Sequence, residues 1–272
     1  MNKILTLYDL EFKKIYKLYF GGIIAYIILN LGGALVNLYN TASSIASNLG
    51  VKISFSLLSK VSAARTIREI AIFDIYNFSV AMFLVTITFC ILYCFMIWDK
   101  DFKGRSKTIY TLYMLPIDKF NIYISKLLLI ASLIYGLVIA HTISWAIIVV
   151  IITSVSTVTA NQIIQIIFLP MNYDILNPIG FNGIEFLMID ILGVVVSVAI
   201  LFTGIIIRKS FKKVGILLGI AYVVLAVFIN LCIYLDYIYT GRLIIYQGIC
   251  YILTMIISFG VSYFMINKKI NL

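Results

Sequence analysis

Charge is scarce in this chain: only 12% of its 272 residues are Asp, Glu, Lys or Arg, against roughly 25% in soluble domains. A water-soluble globule could not cover its surface with so few polar groups. An apolar fraction of 63% and a mean hydropathy of +1.10 suit a lipid solvent instead. Proline is nearly absent, at Pro116, Pro170 and Pro178, so long stretches carry no helix breaker. His141 is the sole histidine, and there is no H-E-x-x-H, no G-x-S-x-G and no paired glutamates in an apolar run. That leaves no constellation for metal-assisted or nucleophilic hydrolysis. No G-x-x-x-x-G-K-[ST] loop occurs either. The nearest string, Gly104 to Thr108, lacks the glycine spacing that folds backbone N–H groups around phosphate. The chain is therefore expected not to be an enzyme and to carry no cofactor or metal. Cys90 and Cys94 are spaced i, i+4 without acidic or imidazole neighbours, and with Cys232 and Cys250 they read as buried thiols in apolar runs.

What is present is a series of long apolar segments. A transmembrane helix needs about 20 apolar residues at roughly 1.5 Å rise each. Six segments qualify: residues 18–38, 78–98, 127–152, 186–207, 214–235 and 243–266. The expected fold is an all-α integral membrane protein forming a single transmembrane domain over residues 1–272. The first apolar run exceeds the core of a signal peptide and has no A-x-A site after it, so it reads as an uncleaved span.

The formal charge of +10 would suggest nucleic acid in a soluble protein; here its distribution is topogenic. Lys3, Lys13, Lys14 and Lys17, the six Lys/Arg between 100 and 126, Arg208, Lys209, Lys212, Lys213, Lys268 and Lys269 fall on one side of a six-span arrangement. They make 16 of the 21 basic residues, and only Lys52, Lys60, Arg65, Arg68 and Arg242 fall on the other. The positive-inside rule then places both termini in the cytoplasm. Residues 1–17 repeat Ile4, Tyr8, Phe12, Ile15 and Tyr16 at helical spacing among lysines, which predicts an amphipathic helix in the inner headgroup layer. Residues 39–77 and 153–185 are the two substantial outer loops. The first has the pattern of a short surface helix (Ile53, Leu57, Val61, Ala64, Ile67), and the second is rich in turn residues around Pro170 and Pro178.

Within the spans, ionisable residues are few. His141 lies in the third span and reads either as a proton relay or as a neutral imidazole hydrogen-bonded to a neighbouring helix. Asp190 lies near the outer end of the fourth span, within reach of the interface or of a vestibule. No chain of carboxylates crosses the midplane, which weakens a proton- or sodium-coupled mechanism. Gly215 and Gly219 form a GxxxG, a spacing that lets helix backbones approach within a chain or between copies.

The segment after the second span has more internal order than a basic loop requires. Trp98–Ile130 reads WDKDFKGRSKTIYTLYMLPIDKFNIYISKLLLI. Lys103, Arg105 and Lys107 lead into the apolar residues Ile109, Leu112 and Leu115. Pro116 then breaks the helix, Asp118 stands at a capping position, and Ile122, Tyr123 and Lys126 continue at helical spacing into the third span. Thr108, Ile109, Leu112, Leu115, Pro116, Ile117, Lys119, Ile122, Lys126, Leu127 and Leu128 together give a pattern that resembles the permease subunits of type-2 ABC transporters, the bacterial ABC exporter class. The six spans, the N-in/C-in topology and the basic amphipathic N-terminus are similar too. Lys103, Gly104 and Arg105 stand where such permeases often carry an acidic residue, and the nearest acids are Asp99 and Asp101.

The resemblance implies a translocation path formed by two permease copies, or by this chain and a related permease, in a bacterial cell membrane. It implies separate cytosolic ATPase subunits, likewise paired, docking on a coupling helix between spans two and three. Ile109, Leu112, Leu115 and Pro116 would seat in the ATPase, with Lys103, Arg105 and Lys107 beside them. An apolar lumen favours a hydrophobic or amphipathic cargo: an antimicrobial peptide, a drug or a lipid. Two other readings remain at this point. One is a gradient-driven secondary transporter or channel, and the other is an integral-membrane enzyme or assembly factor resting on His141 or Asp190.

Overall fold

In the computed structural model the chain is all-helical among its described residues, which are 3–50, 65–103, 118–155, 191–240 and 244–268. Six helices follow one another: α1 (Lys3–Leu49), α2 (Arg65–Lys103), α3 (Lys119–Val155), α4 (Gly193–Ser210), α5 (Lys212–Thr240) and α6 (Ile244–Lys268). Each is long and apolar enough to cross a membrane, so the chain is by length and composition a multi-pass membrane protein. The three prolines lie outside the described residues. The suggested surface helix at 53–67 begins outside the described residues, as do the coupling segment 104–117 and most of the 153–185 loop.

Residues 3–17 and the first span form one unbroken helix. The change in composition near Leu18 is not a break in the backbone, because nothing between Lys3 and Phe20 interrupts helical hydrogen bonding. At 47 residues α1 extends about 70 Å, more than twice a hydrocarbon core of roughly 30 Å.

Contacts divide the chain into two compact units. The first comprises Met1–Tyr16, Phe89–Ile134 and Ile179–Leu272; the second comprises Lys17–Thr88 and Tyr135–Pro178.

In the second unit the core is built from small residues on α1. Ala34, Leu38, Ala42 and Ala46 recur every four residues and pack against Ile72 and Ile75 of α2 and Ile148 and Ile152 of α3. Small side chains on one helical stripe let the partners approach closely, which replaces the hydrophobic drive that lipid cannot supply. The ring of Phe78 occupies the space where a side chain at Gly33 would stand.

In the first unit α4 is the central helix. Most of its residues are buried all round, as expected for a helix enclosed by others. It turns into α5 at Phe211, whose N–H donates to the Ile207 carbonyl (3.2 Å) and whose carbonyl accepts from Gly215 N–H. The resulting α4–α5 hairpin is closed by glycine. A Cβ at Gly219 would lie 2.5 Å from the Gly204 carbonyl oxygen, and one at Gly215 would lie 2.5 Å from that of Arg208. The GxxxG of the fifth span thus packs against α4 within the chain, backbone to backbone. Val196, Ile200 and Ala226 fill the space further along. The opposite faces of α5 and α6 expose Leu217, Val224, Phe228, Ile256 and Ile257, a surface matched to lipid tails.

Candidate functional site

The most unusual chemistry lies in the first unit, where α2 approaches its end and α3 begins. Lys126 sits two turns into α3 and is only 1% exposed. A buried ammonium loses several kcal/mol of hydration and must be compensated. Two features compensate it: its Nζ lies 3.9 Å from Glu11 Oε1 of α1, and the Trp98 ring of α2 lies 5.3 Å below it. Lys14 Nζ donates to the same Glu11 oxygen at 3.0 Å, so that carboxylate is shared between two cations. Leu7, Glu11 and Ile15 occur every fourth residue, so one face of α1 is buried while Lys13 and Lys14 stay in solvent. Tyr8 on the same helix shares a hydrogen bond with Ser132 of α3 (3.0 Å).

Around this charge lies an aromatic cluster from four helices. Trp98 meets Phe202 edge-on at 5.6 Å, and Tyr123 lies 5.8 Å from the same ring. Phe120 stacks on Tyr123 at 5.3 Å and receives Phe259 and Tyr263 edge-on. Edge-to-face pairs at these separations contribute about 0.5–1.5 kcal/mol beyond burial. One residue beyond Trp98, Asp99 pairs with Lys209 at 2.6 Å, tying the last turns of α2 to the end of α4. At the start of α3 the carbonyl of Asp118 accepts Asn121 N–H (2.9 Å), so the backbone of Asp118 makes this first bond of the helix.

A hydroxyl layer lies further along the same unit. Thr203 of α4 bonds Ser262 Oγ (2.9 Å) and the Ser258 carbonyl (3.2 Å) of α6, and Tyr222 of α5 shares a hydrogen bond with Ser258 (2.7 Å). Such bonds satisfy polar groups where no water is available. Gln247 of α6 is fully buried, and among the described residues neither of its amide atoms has a hydrogen-bond partner. Leaving such a group unsatisfied costs about 1–3 kcal/mol. Gln247→Leu is accordingly expected to raise the thermal midpoint of the detergent-solubilised protein; a fall would show that the amide has a polar partner in the assembled state.

The second unit holds a separate polar rung. Tyr26 OH of α1 and Nδ1 of His141 share a hydrogen bond (2.5 Å), and Phe83 of α2 stacks on the imidazole at 4.5 Å. One turn on, Asn30 Nδ2 donates to Ser144 Oγ (2.7 Å). His141 is thus bonded between helices.

Of the residues singled out in the sequence, Gly219 meets the backbone of Gly204 and Gly215 that of Arg208. Lys103 is the last residue of α2. Arg105, Lys107, Ile109, Leu112, Leu115, Pro116 and Asp190 lie outside the described residues. Among the described residues no group of three His, Cys, Asp or Glu side chains is placed to hold a metal ion, and the four cysteines are free thiols.

Sequence reasoning counted Lys209 only as topogenic charge, gave Lys126 a place in the pattern entering the third span but no partner, and passed over Glu11 and Trp98. Glu11, an acid in register with the apolar Leu7 and Ile15, was the available signal. The chain matches no family model, no curated protein and no solved structure.

Proposed function

We propose that this chain is the membrane-spanning permease subunit of a type-2 ABC transporter, driven by a separate ATPase. One observation carries the reading: the Thr108–Leu128 pattern runs into the first turns of α3, and there Phe120, Tyr123 and Lys126 are embedded in the charge-and-aromatic cluster. A span entered through an ordinary loop has no need of a buried lysine tied to a different helix. A segment that receives mechanical work needs a stiff base, and the cluster supplies one.

On this reading the ends of α2 and α3 that flank residues 104–117 face the cytoplasm, as the charge distribution requires. Two ATPase subunits dock there, and two permeases, identical or related, enclose the path. The apolar lumen takes a hydrophobic or amphipathic cargo such as an antimicrobial peptide, a drug or a lipid.

The test is purification of the tagged protein from its native membrane in mild detergent. A stoichiometric P-loop ATPase among the bound proteins is the expected result. An intact permease that brings down no ATPase contradicts the reading. It would favour a gradient-driven transporter in which the Tyr26–His141 rung faces the substrate or proton.

A further inference from the structure

We infer that two ion pairs, Glu11–Lys126 and Asp99–Lys209, are the struts through which motion of the coupling segment reaches the rest of the first unit; this rests on the permease reading above. The helices that flank residues 104–117 in the chain are α2, which ends at Lys103, and α3, which begins at Lys119. Each carries one member of a charged pair close to that junction, and neither pair joins the two flanking helices to each other. Asp99 of α2 reaches Lys209, next to last in α4 (2.6 Å). Lys126 of α3 reaches Glu11 of α1 (3.9 Å).

The two flanks are therefore tied outward, to different targets. A push on α3 is passed to the N-terminal turns of α1. A push on α2 is passed to α4, and through the Gly204–Gly219 backbone contact to α5, because two backbones in contact cannot slide independently.

Stability alone does not account for this arrangement. An apolar residue in place of a buried ion pair is often neutral or stabilising, so a buried Lys126 is a costly way to hold two helices together. An ion pair has what an apolar contact lacks: a defined partner and register. Glu11 also shows division of labour on one oxygen, with Lys14 approaching from solvent and Lys126 from the interior. The aromatic cluster stiffens the flanks beneath the pairs, and Trp98 places its ring under the ammonium it serves. Glu11, Lys126, Asp99 and Lys209 are thus positioning residues: they act through the flanking helices, without touching cargo or nucleotide.

The experiment uses the permease purified with its ATPase in lipid nanodiscs. Spin labels replace Leu10 of α1 and Val214 of α5, both exposed, in a background lacking the native cysteines. The label-to-label distance is measured without nucleotide and after trapping with ATP and vanadate. In the parent protein the distance distribution is expected to shift on trapping. In Glu11→Gln and in Asp99→Asn the ATPase still co-purifies and still hydrolyses ATP, but the shift is reduced, because the label beyond the broken pair no longer moves. The exchanged pair D99K/K209D restores the full shift. Should a single variant fail to fold, the exchanged pair carries the test alone. A folded exchange without the full shift overturns the inference, as does a shift of undiminished size in Glu11→Gln or Asp99→Asn. A parent protein that binds ATPase but shows no shift also overturns it. A parent protein that binds no ATPase brings down the permease reading instead, and the two failures are told apart at the purification step.

Discussion

Gly219→Leu is expected to destabilise the protein by about 3 kcal/mol, at the upper end of the ~1–3 kcal/mol typical of overpacking. The site allows no relief. A Cβ at Gly219 would already stand 2.5 Å from the Gly204 carbonyl oxygen, which is backbone and cannot rotate away. The remaining atoms of leucine would have to force α4 and α5 apart, and separation would open the contact at Gly215 as well. Because α4 is enclosed by its neighbours, its displacement also disturbs Phe202 and Thr203, and with them the aromatic cluster and the hydroxyl layer. Gly260→Leu on α6 is the matched control. Nothing lies within 4 Å of its Cβ position, so an effect inside about 0.5 kcal/mol is expected. Thermal unfolding of both variants in the same detergent measures the difference. Equal midpoints would show that the hairpin is not closed by backbone contact.

Leu112→Asp and Leu115→Asp are each expected to abolish co-purification of an ATPase while leaving the permease inserted and monodisperse. Both leucines belong to the apolar face that the sequence pattern assigns to docking, ahead of Pro116. A carboxylate on that face would have to be desolvated in the partner's groove, at a cost of several kcal/mol that corresponds to a loss of more than a hundredfold in affinity. The substituted positions lie outside the apolar spans, so insertion should proceed normally. Blots of membrane fractions and of the pulled-down material report the two properties separately. An ATPase retained by both variants would remove residues 109–115 from the interface.

The fold was largely legible in the sequence, and the reason is the lipid solvent. A segment that crosses hydrocarbon must be apolar over its full length, so composition alone marks it. The sixth apolar segment, 243–266, lies almost on the observed α6, Ile244–Lys268. A helix can also overrun its span: the segment at 78–98 lies within α2, Arg65–Lys103. Hydropathy reports the thickness of hydrocarbon, whereas backbone hydrogen bonding continues until something interrupts it. That is also why the segment 1–17 read as a separate piece, although from Lys3 onward it is the first turns of α1.

The buried charge cluster was much less legible. Lysine counts at span ends decide topology, and a lysine that counts toward topology looks the same in sequence as one that pairs across helices. Lys126 and Lys209 do both. Their partners, Glu11 and Asp99, sit on other helices, and no periodicity within one helix reveals such a pair. The Tyr26–His141 and Asn30–Ser144 rungs were hidden for the same reason. Each side chain fits its own helix without comment, and only packing brings the two together. Gly215 and Gly219 were visible as a motif, but the sequence left open what they faced.

The central claim is that the segment between α2 and α3 docks an ATPase. Site-specific photocrosslinking in living cells tests it most directly, with Tyr113 replaced by a benzophenone-bearing amino acid and the adduct identified after denaturing purification. The account predicts a covalent adduct with a P-loop ATPase, absent when the same group replaces lipid-facing Leu217. Irradiation that yields no ATPase adduct at position 113, with the protein intact in the membrane, would contradict it.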